Sequence, residues 1–274
     1  MKDKIIIITG GSGGMGKAIA KKLATEGANV VITGRILEKL EEAKKDIETF
    51  GGKVMSFQMD VREIEQVHEM VSETKKAFGK IDALVNNAAG NFVCPAEQLS
   101  LNGWHSVVNI VLNGTWNCTQ TVGKDWIAND KRGHILNIVA TTAWTGAPGT
   151  VHSASAKAGV LAMTRTLAVE WGYRYGIRVN GLAPGVIAGT GGVNKMINTN
   201  EFHEQAVESI PVGRYGQVEE IADTAYFMLS PQAEYLNGEC ITLDGGKWLY
   251  QKRTMDRLEK LFPTNKARTD EPEA

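Results

Sequence analysis

Short apolar segments alternate with longer amphipathic segments along most of this 274-residue chain. The short segments are rich in Ile and Val and lack polar alternation, which is typical of strands buried on both faces of a sheet. They predict seven strands, at Ile5–Thr9, Asn29–Thr33, Val54–Gln58, Ala83–Asn86, Ile135–Val139, Arg178–Leu182 and Cys240–Leu243. The longer segments predict helices at Met15–Glu26, Leu37–Phe50, Glu63–Phe78, Gly103–Asn129, Ser153–Tyr173 and Val218–Leu229. Because strands that alternate with helices imply right-handed βαβ crossovers, we expect an α/β fold of the Rossmann type, a doubly wound seven-stranded parallel sheet in a single domain.

The regular alternation covers most of the chain and is interrupted once. No internal repeat and no Pro- or Ser-rich linker divides the sequence, so we expect residues 1–250 to form one domain. Residues 185–211 begin with a cluster of glycines and end in an apolar stretch, and such an irregular insertion near strand ends is a candidate substrate lid. After Asp244-Gly245-Gly246 the pattern fades. We interpret residues 251–274 as a C-terminal extension and expect its polar end, Pro263–Ala274, to be frayed.

Composition and charge narrow the class of protein. A hydrophobic content of 43% with 22% charged residues is ordinary for a globular chain. The 30 Lys and Arg residues balance 31 Asp and Glu residues, which argues against nucleic acid or an anionic membrane as the main partner. No apolar run approaches the roughly 18 residues of a membrane helix. Since no signal peptide is visible either, we expect a cytoplasmic protein. The three cysteines (Cys94, Cys118 and Cys240) form no CxxC pair, so we expect no disulfide framework and no metal site.

The glycine-rich loop after the first strand matches three motifs. Gly11, Gly13 and Gly16 fit G-x-G-x-x-G, which binds dinucleotide phosphates. Residues 10–14 fit G-x-S-x-G, the nucleophile elbow of hydrolases. Residues 11–17 nearly fit the triphosphate loop G-x-x-x-x-G-K-[ST]. Each motif alone is weak, so the surrounding sequence decides between them.

The context of the loop favours a dinucleotide. Ala18 stands where the triphosphate loop needs a hydroxyl for Mg²⁺, and the hydrolase motif lacks compelling Asp and His partners in the required order. A predicted strand precedes the loop and a predicted helix follows it, so phosphates would meet the helix N-terminus. The remaining alternative is a tight glycine turn without a ligand, which so many glycines would make costly to fold.

The end of the second strand indicates which nicotinamide cofactor is bound. An acidic residue there would hold the ribose 2′-hydroxyl of NAD. The strand instead ends in Thr33-Gly34-Arg35, and Arg35 can bind a 2′-phosphate through two parallel hydrogen bonds. We therefore predict NADPH, with a solvated surface arginine as the alternative.

Further motifs occur in a fixed order along the chain. They are Thr9-Gly-x-x-x-Gly14-x-Gly16, Asp60-Val61, Asn86-Asn87-Ala88-Ala89-Gly90, Lys157 in a long helix, Pro184-Gly185 and Asp244-Gly245-Gly246. Over residues 4–248 these motifs together resemble the short-chain dehydrogenase/reductase family, which implies a seven-stranded sheet and a homotetramer. The resemblance also implies that the cofactor contacts Gly10, Ser12, Gly13, Gly14, Met15, Gly16, Arg35, Asp60, Val61, Asn87, Ala88, Ala89, Lys157, Pro184, Gly185 and Ile187.

The residues that serve alcohol–ketone exchange in that family are missing. Four residues before Lys157, where the family has Tyr, the chain has Ser153. The family's Ser corresponds by spacing to Ala140, and its helix Asn to Val111. The Tyr-x6-Lys spacing of enoyl-carrier reductases also fails, because Thr150 stands there. Without a phenol beside the lysine, the interconversion of alcohols and ketones lacks its usual proton donor.

Four segments are instead similar to the 2,4-dienoyl-CoA reductases. They are residues 87–92, 110–115, 153–159 and 168–172. Similarity to the mitochondrial type implies catalytic positions at Asn91, Thr142, Ser153 and Lys157. The family has Tyr where this chain has Thr142. The same resemblance implies that Arg62, Phe92 and Ser100 contact acyl-CoA.

These residues can support the reduction of a conjugated thioester. Ser153 and Lys157 are four residues apart on a predicted helix and share one face. The lysine can hold the nicotinamide ribose, while Asn91 and Ser153 are candidate donors to the thioester oxygen. Because an aliphatic hydroxyl is far less acidic than a phenol, we expect Thr142 to hold the water that delivers the proton. His152 adjoins Ser153 but points in another direction along the helix, so we interpret it as structural.

The sequence therefore predicts NADPH-dependent reduction of 2,4-dienoyl-CoA to enoyl-CoA in fatty-acid β-oxidation. Two alternatives remain. One is a related short-chain reductase that acts on other conjugated or keto substrates. The other is a protein that binds NADPH without catalysis, which the missing phenol favours. The expected partners are an acyl-CoA substrate and further copies of the chain, with neither nucleic acid nor membrane.

Overall fold

The computed structural model describes residues 1–190 and 200–263 and shows one seven-stranded parallel sheet. The strand order is β3-β2-β1-β4-β5-β6-β7. The order reverses between the adjacent strands β1 and β4, near the centre of the sheet, which is the topological switch point. This is the doubly wound, Rossmann-type arrangement that the sequence predicts. The strands are β1 Ile5–Thr9, β2 Asn29–Gly34, β3 Val54–Gln58, β4 Ala83–Asn86, β5 His134–Ile138, β6 Arg178–Pro184 and β7 Cys240–Leu243.

Helices follow most of the strands. Within the described residues they are α1 Gly14–Thr25, α2 Leu37–Glu48, α3 Ile64–Phe78, α4 Leu101–Val108, α5 Gly114–Ala128, α6 Thr142–Thr145, α7 Val151–Tyr175, α8 Asn200–Glu208, α9 Val218–Leu229 and α10 Lys252–Leu261. A π-helical turn, Asn109–Asn113, joins α4 to α5. Short 3₁₀ turns occur at Ala96–Gln98, Pro231–Ala233 and Lys247–Leu249.

The central strand β1 shows why the strands lack polar alternation. Ile6 and Ile8 pack into a core shared with α1, α2 and α9, while Ile7 packs into a second core shared with α3, α5 and α7. All three side chains are fully buried. Since both faces of the sheet are covered by helices, both sets of alternate side chains must be apolar.

The sequence predicts one helix over Gly103–Asn129, and the structure shows helical residues over this stretch with shifted bounds and a π-helical turn within it. The helix begins at Leu101, where the Ser100 hydroxyl accepts a hydrogen bond from the Gly103 amide, and it is interrupted by the π-helical turn before α5 ends at Ala128. A π turn holds one more residue per turn than α-helix and therefore resets which side chains face the sheet, which a count of apolar spacing does not reveal.

Smaller differences occur at strand ends and in loops. β5 begins one residue earlier than predicted, at His134, and β6 extends to Pro184 because its pairing with β7 continues to the Pro184–Leu243 pair. No pattern in the sequence predicted α6 or α8.

Part of the predicted lid and of the C-terminal extension lies outside the described residues, namely 191–199 and 264–274. In the described part of the lid segment, Ile187 forms a parallel bridge with Gly216. The lid and the frayed end therefore stay predictions. Among the described helices, none is long and apolar enough to cross a membrane, and the cytoplasmic location stays a prediction too.

Candidate active site

The loop between β1 and α1 forms a cradle of backbone amides. Gly13 precedes α1 with no side chain capping the helix, and the first turn carries no acidic residue. A Cβ on Gly13 would meet nothing within 4 Å, so this position is open. A Cβ on Gly16 would collide with the Gly10 carbonyl oxygen, because the helix packs directly against the loop. Open N–H groups at a helix N-terminus bind phosphate, so the loop fits the pyrophosphate of a dinucleotide.

Hydrogen bonds join this loop to the segment after β4. The Thr9 hydroxyl oxygen accepts hydrogen bonds from the backbone amides of Asn87 and Ala88, each at 3.0 Å. In return, the Asn87 side-chain amide donates to the carbonyl oxygens of Thr9 and Gly10, at 2.9 and 3.1 Å. These bonds join the neighbouring strands β1 and β4 at their carboxyl ends. The strand order reverses at this point, so a crevice lies outside the two strand ends.

A cavity of about 520 Å³ occupies this crevice. Most of the predicted cofactor residues line it: Gly10, Ser12, Gly13, Gly14, Met15, Arg35, Asp60, Val61, Asn87, Ala88 and Ala89. The lining also includes Asn91, a predicted catalytic residue, and residues that the sequence analysis missed, Thr33, Gly34, Ile36, Lys39, Met59, Gly90, Ile110 and Thr190. Five predicted cofactor residues are not among the described lining residues, namely Gly16, Lys157, Pro184, Gly185 and Ile187.

The end of the cavity beside β2 is basic. Arg35 and Lys39 both line it, and no described carboxylate pairs with either. The Thr33 hydroxyl there is buried and has no hydrogen-bond partner among the described residues. Lys39 follows Arg35 by four residues, in the first turn of α2. The signal available in the sequence was a second basic residue close after Arg35, at the start of the next predicted helix.

Asp60 is the carboxylate that lines this end, and Arg62 neutralises it. The Arg62 guanidinium donates hydrogen bonds of 3.0 and 2.6 Å to the two oxygens of Asp60. These bonds hold the pKa of Asp60 below its usual range. The neutralised Asp60 thus leaves the positive charge of Arg35 and Lys39 dominant.

Lys157 lies in α7 with its side chain buried. Its amino group donates a hydrogen bond to the carbonyl oxygen of Ile138, the last residue of β5. Burial lowers the pKa of Lys157 to about 8. No carboxylate of the described residues forms an ion pair with it, so its charge is available to a bound group.

The other predicted catalytic residues occupy the same edge of the sheet. Asn91 follows β4, Thr142 begins α6 after β5, and Ser153 stands in the first turns of α7. The ends of β4 and β5 are adjacent, since Asn86 pairs with Asn137. The Asn91 side-chain oxygen accepts the Phe92 amide hydrogen at 2.9 Å, which leaves the Asn91 amide N–H groups as donors.

The three predicted acyl-CoA contacts have partners within the protein. Arg62 binds Asp60, and the Ser100 hydroxyl accepts the Gly103 amide hydrogen at 3.0 Å. The ring of Phe92 meets the ring of His152 edge to face, with centroids 4.5 Å apart. None of the three predicted contacts lines the described cavity. Their role toward substrate stays a prediction.

A buried polar network below the site was not predicted. The Asn86 amide donates to the Thr119 hydroxyl and to the Asn137 side-chain oxygen, each at 2.9 Å. The Asn137 amide donates to the Thr164 hydroxyl at 2.9 Å. Since α7 carries Thr164 as well as Lys157, the network ties the lysine-bearing helix to β4 and β5. The sequence did carry a signal of this network, because Asn86 and Asn137 are polar residues within otherwise apolar strands.

Comparison with known proteins agrees with this architecture. Residues 10–247 match the family model described as Enoyl-(Acyl carrier protein) reductase. A probable 2,4-dienoyl-CoA reductase [(2E)-enoyl-CoA-producing] of Bacillus subtilis is 56% identical, over 91% of this chain and 98% of the relative. A peroxisomal 2,4-dienoyl-CoA reductase [(3E)-enoyl-CoA-producing] of Danio rerio is 40% identical, over 98% of this chain and 89% of the relative.

Solved structures of short-chain dehydrogenases and related enzymes share this fold. A short chain dehydrogenase from Bacillus anthracis superposes with a TM-score of 0.84 and 55% identity, over 91% of this chain and 98% of that one. A gluconate 5-dehydrogenase from Burkholderia cenocepacia in complex with NADP and tartrate superposes with a TM-score of 0.85 and 30% identity, over 92% of this chain and 97% of that one. The chain is an oxidoreductase that belongs to the short-chain dehydrogenase/reductase family.

Proposed function

We propose that this protein is an NADPH-dependent 2,4-dienoyl-CoA reductase that produces enoyl-CoA in fatty-acid β-oxidation. The observation that carries the proposal is a buried Lys157 that has no ion-pair partner among the described residues, with Ser153 four residues before it where the family's alcohol dehydrogenases have a phenol. Such a site can stabilise negative charge on an oxygen but lacks a phenol to protonate it. The name of the 56% identical relative supports the same activity.

The basic end of the cavity supports NADPH over NADH. Arg35 provides a planar guanidinium that binds phosphate through two hydrogen bonds, and Lys39 adds a second positive charge. NADH would instead leave both side chains without an anionic partner. The NADP in the Burkholderia structure supports this assignment.

The residues at the carboxyl edge suit a thioester substrate. When bound, the reduced nicotinamide supplies a hydride to the far carbon of the conjugated diene, so negative charge spreads to the thioester oxygen. The amide of Asn91 and the hydroxyl of Ser153 donate hydrogen bonds to that oxygen. The positive charge of Lys157 holds the cofactor ribose and stabilises the same oxygen. Loss of one such donor costs about 10²–10³ in rate.

A proton must then reach carbon to complete the reduction. The Thr142 hydroxyl holds a water, polarised by Lys157, that transfers this proton to the dienolate, and the hydroxide that remains takes up a proton from solvent. The position of the remaining double bond depends on which carbon receives the proton. The two relatives described above differ in this respect, since one is named for a 2E product and the other for a 3E product.

Substrate binding outside the reacting atoms rests on three further residues. Arg62 contacts the phosphates of CoA, while Phe92 and Ser100 contact the acyl-CoA chain. Arg62 is already oriented by Asp60, which reduces the conformational entropy lost on binding. We also propose a homotetramer, whose mass can be measured by light scattering.

The test is NADPH oxidation followed at 340 nm with three additions: a 2,4-dienoyl-CoA, a 3-ketoacyl-CoA and buffer alone. We expect turnover with the dienoyl-CoA only, and NMR of the product gives the double-bond position. Faster turnover of the 3-ketoacyl-CoA would instead indicate a keto reductase. NADPH binding without oxidation in any arm would indicate a protein that binds the cofactor without catalysis.

A further inference from the structure

His152 has a hydrogen-bonding group that the protein itself does not use. Its side chain is fully buried in the first turn of α7. The Nδ1 atom accepts a hydrogen bond of 2.8 Å from the backbone amide of Ser153. A neutral imidazole carries one proton, so this contact places the proton on Nε2. Nε2 is buried and has no hydrogen-bond partner among the described residues.

The neighbours of His152 include residues predicted for the active site. Its ring meets the ring of Phe92 at an interplanar angle of 84°. The two segments are also joined by a 2.9 Å hydrogen bond from the Cys94 amide to the Gly149 carbonyl oxygen. His152 thus belongs to the helix that carries Ser153 and Lys157, and its ring contacts the loop that carries Asn91. These are the two segments that a thioester must reach together.

The structural role that the sequence analysis gives His152 does not account for the imidazole, whose Nε2 has no partner among the described residues. A buried donor without an acceptor opposes folding, and an apolar side chain of similar volume would fill the same space without that cost. Polar groups that persist unpaired in a buried position call for an acceptor that the folded chain does not supply. An acyl-CoA thioester brings such an acceptor, its carbonyl oxygen, to this region.

We propose that the Nε2–H of His152 donates a hydrogen bond to the thioester oxygen of the bound substrate, as a third donor beside Asn91 and Ser153. This inference rests on the proposed function. Because Nδ1 already accepts the Ser153 amide, the ring acts as a neutral donor, like other neutral histidines that polarise a carbonyl group. The imidazole keeps its proton throughout, and the proton that reaches carbon still comes from the water at Thr142.

Three substitutions separate a donor at Nε2 from a role in packing. His152→Gln places an amide N–H near the position of Nε2, His152→Asn places its amide near Nδ1, and His152→Phe retains only the ring volume. We expect kcat with a 2,4-dienoyl-CoA to fall about 10²-fold in the Asn and Phe variants, by the loss of one oxyanion donor. The Gln variant is expected to retain activity within about tenfold, since it keeps a neutral donor.

The matched control is His105→Gln, which changes an exposed histidine of α4 and is expected to leave kcat unchanged. NADPH affinity, from nucleotide fluorescence, and the melting temperature are measured for each variant to separate catalysis from cofactor binding and folding. A His152→Phe variant with parental kcat overturns the proposal. So does a His152→Gln variant that is as slow as His152→Asn while both bind NADPH normally.

A spectroscopic measurement gives a second test independent of turnover. In protein labelled with ¹⁵N-histidine, His152→Gln identifies the ring signals of His152. We expect the Nε2–H tautomer in the free protein and a shift of the Nε2 signal when dienoyl-CoA is added with NADP⁺. The Nδ1–H tautomer, or a signal unmoved by saturating dienoyl-CoA, overturns the proposal. A parent enzyme that oxidises no NADPH with dienoyl-CoA refutes the proposed function, whereas an active parent with unaffected variants refutes only the role of His152.

Discussion

The amino group of Lys157 donates its hydrogen bond to the carbonyl oxygen of Ile138 at the end of β5. A backbone carbonyl orients the ammonium group but does not neutralise it, and the site provides no paired carboxylate among the described residues. Burial therefore dominates and lowers the pKa of Lys157 to about 8. The charge of this lysine is consequently sensitive to pH within the range in which enzymes are assayed.

The first prediction concerns the pH dependence of activity. As pH rises past about 8, Lys157 loses its proton, and we expect kcat/KM to fall with it. Lys157→Arg keeps a positive charge at all accessible pH values. A pH–rate profile of this variant is expected to lack the alkaline fall, even if its maximum rate is lower. An alkaline fall at the same pH in both proteins assigns the titration to another group.

The same shift predicts a pH dependence of stability. The folded-state pKa of Lys157 is about 8 and its ordinary value is 10.5, so between these values the unfolded chain binds more protons. The destabilising effect of burying the ammonium group is therefore fully present below pH 8 and is relieved as pH rises toward 10.5. Urea unfolding of parent and Lys157→Met is expected to show a stability difference that favours the variant at pH 7 and narrows by pH 9.5. A difference independent of pH contradicts the shift.

Two glycines of the first loop are expected to respond differently to alanine. The Cβ of Gly13→Ala enters open space, so folding is retained, but the methyl group obstructs the phosphates and NADPH affinity falls at least about tenfold. The Cβ of Gly16→Ala meets the Gly10 carbonyl oxygen and the Asn87 amide, and we expect a loss of about 1–3 kcal/mol in unfolding free energy. Thermal melts and NADPH titrations distinguish the two. Equal melting temperatures for the two variants contradict the packing argument.

Cofactor choice is expected to depend on Arg35 and Lys39. Replacing either by Leu removes a charge-assisted hydrogen bond to the 2′-phosphate, worth about 1.5–3 kcal/mol, so KM for NADPH rises about 10–100-fold. KM for NADH stays within about twofold, because NADH lacks that phosphate. Lys45→Gln, an exposed position on the same helix, is the control. If KM rises equally for NADPH and NADH, the substitution has damaged folding and not the recognition of the 2′-phosphate.

The hydroxyl of Thr142 is tested by two opposite substitutions. Thr142→Tyr places a more acidic phenol at the position, and we expect turnover to rise. Thr142→Val keeps the shape but cannot hold a water, and we expect turnover to fall by about 10²-fold, the lower end of general acid catalysis. Single-turnover kinetics with 2,4-dienoyl-CoA measures both. If both variants match the parent, Thr142 has no catalytic role.

Much of the fold could be predicted from local patterns. The runs of Ile and Val that form β1 and β2 are buried on both faces of the sheet. A strand buried on both faces is apolar throughout, so these runs identify the strands directly. The glycine loop and Arg35 could also be identified, because a glycine-rich turn between a strand and a helix, and a cation at the end of the next strand, are defined by short spacing along the chain.

The details of the site depended on contacts between distant segments. The pairing of Lys157 with Ile138, the link from Asn137 to α7 and the unpaired Nε2 of His152 appear only when strand order is known. Burial and hydrogen-bond partners are properties of the packed chain, and they set the charge state of a side chain. The sequence by itself determined the sheet, the dinucleotide loop and the residue types at its edge. Tertiary structure alone decided which of those groups are buried, which are paired and which remain available to a ligand, because desolvation and pairing arise only where the crossovers bring those segments together.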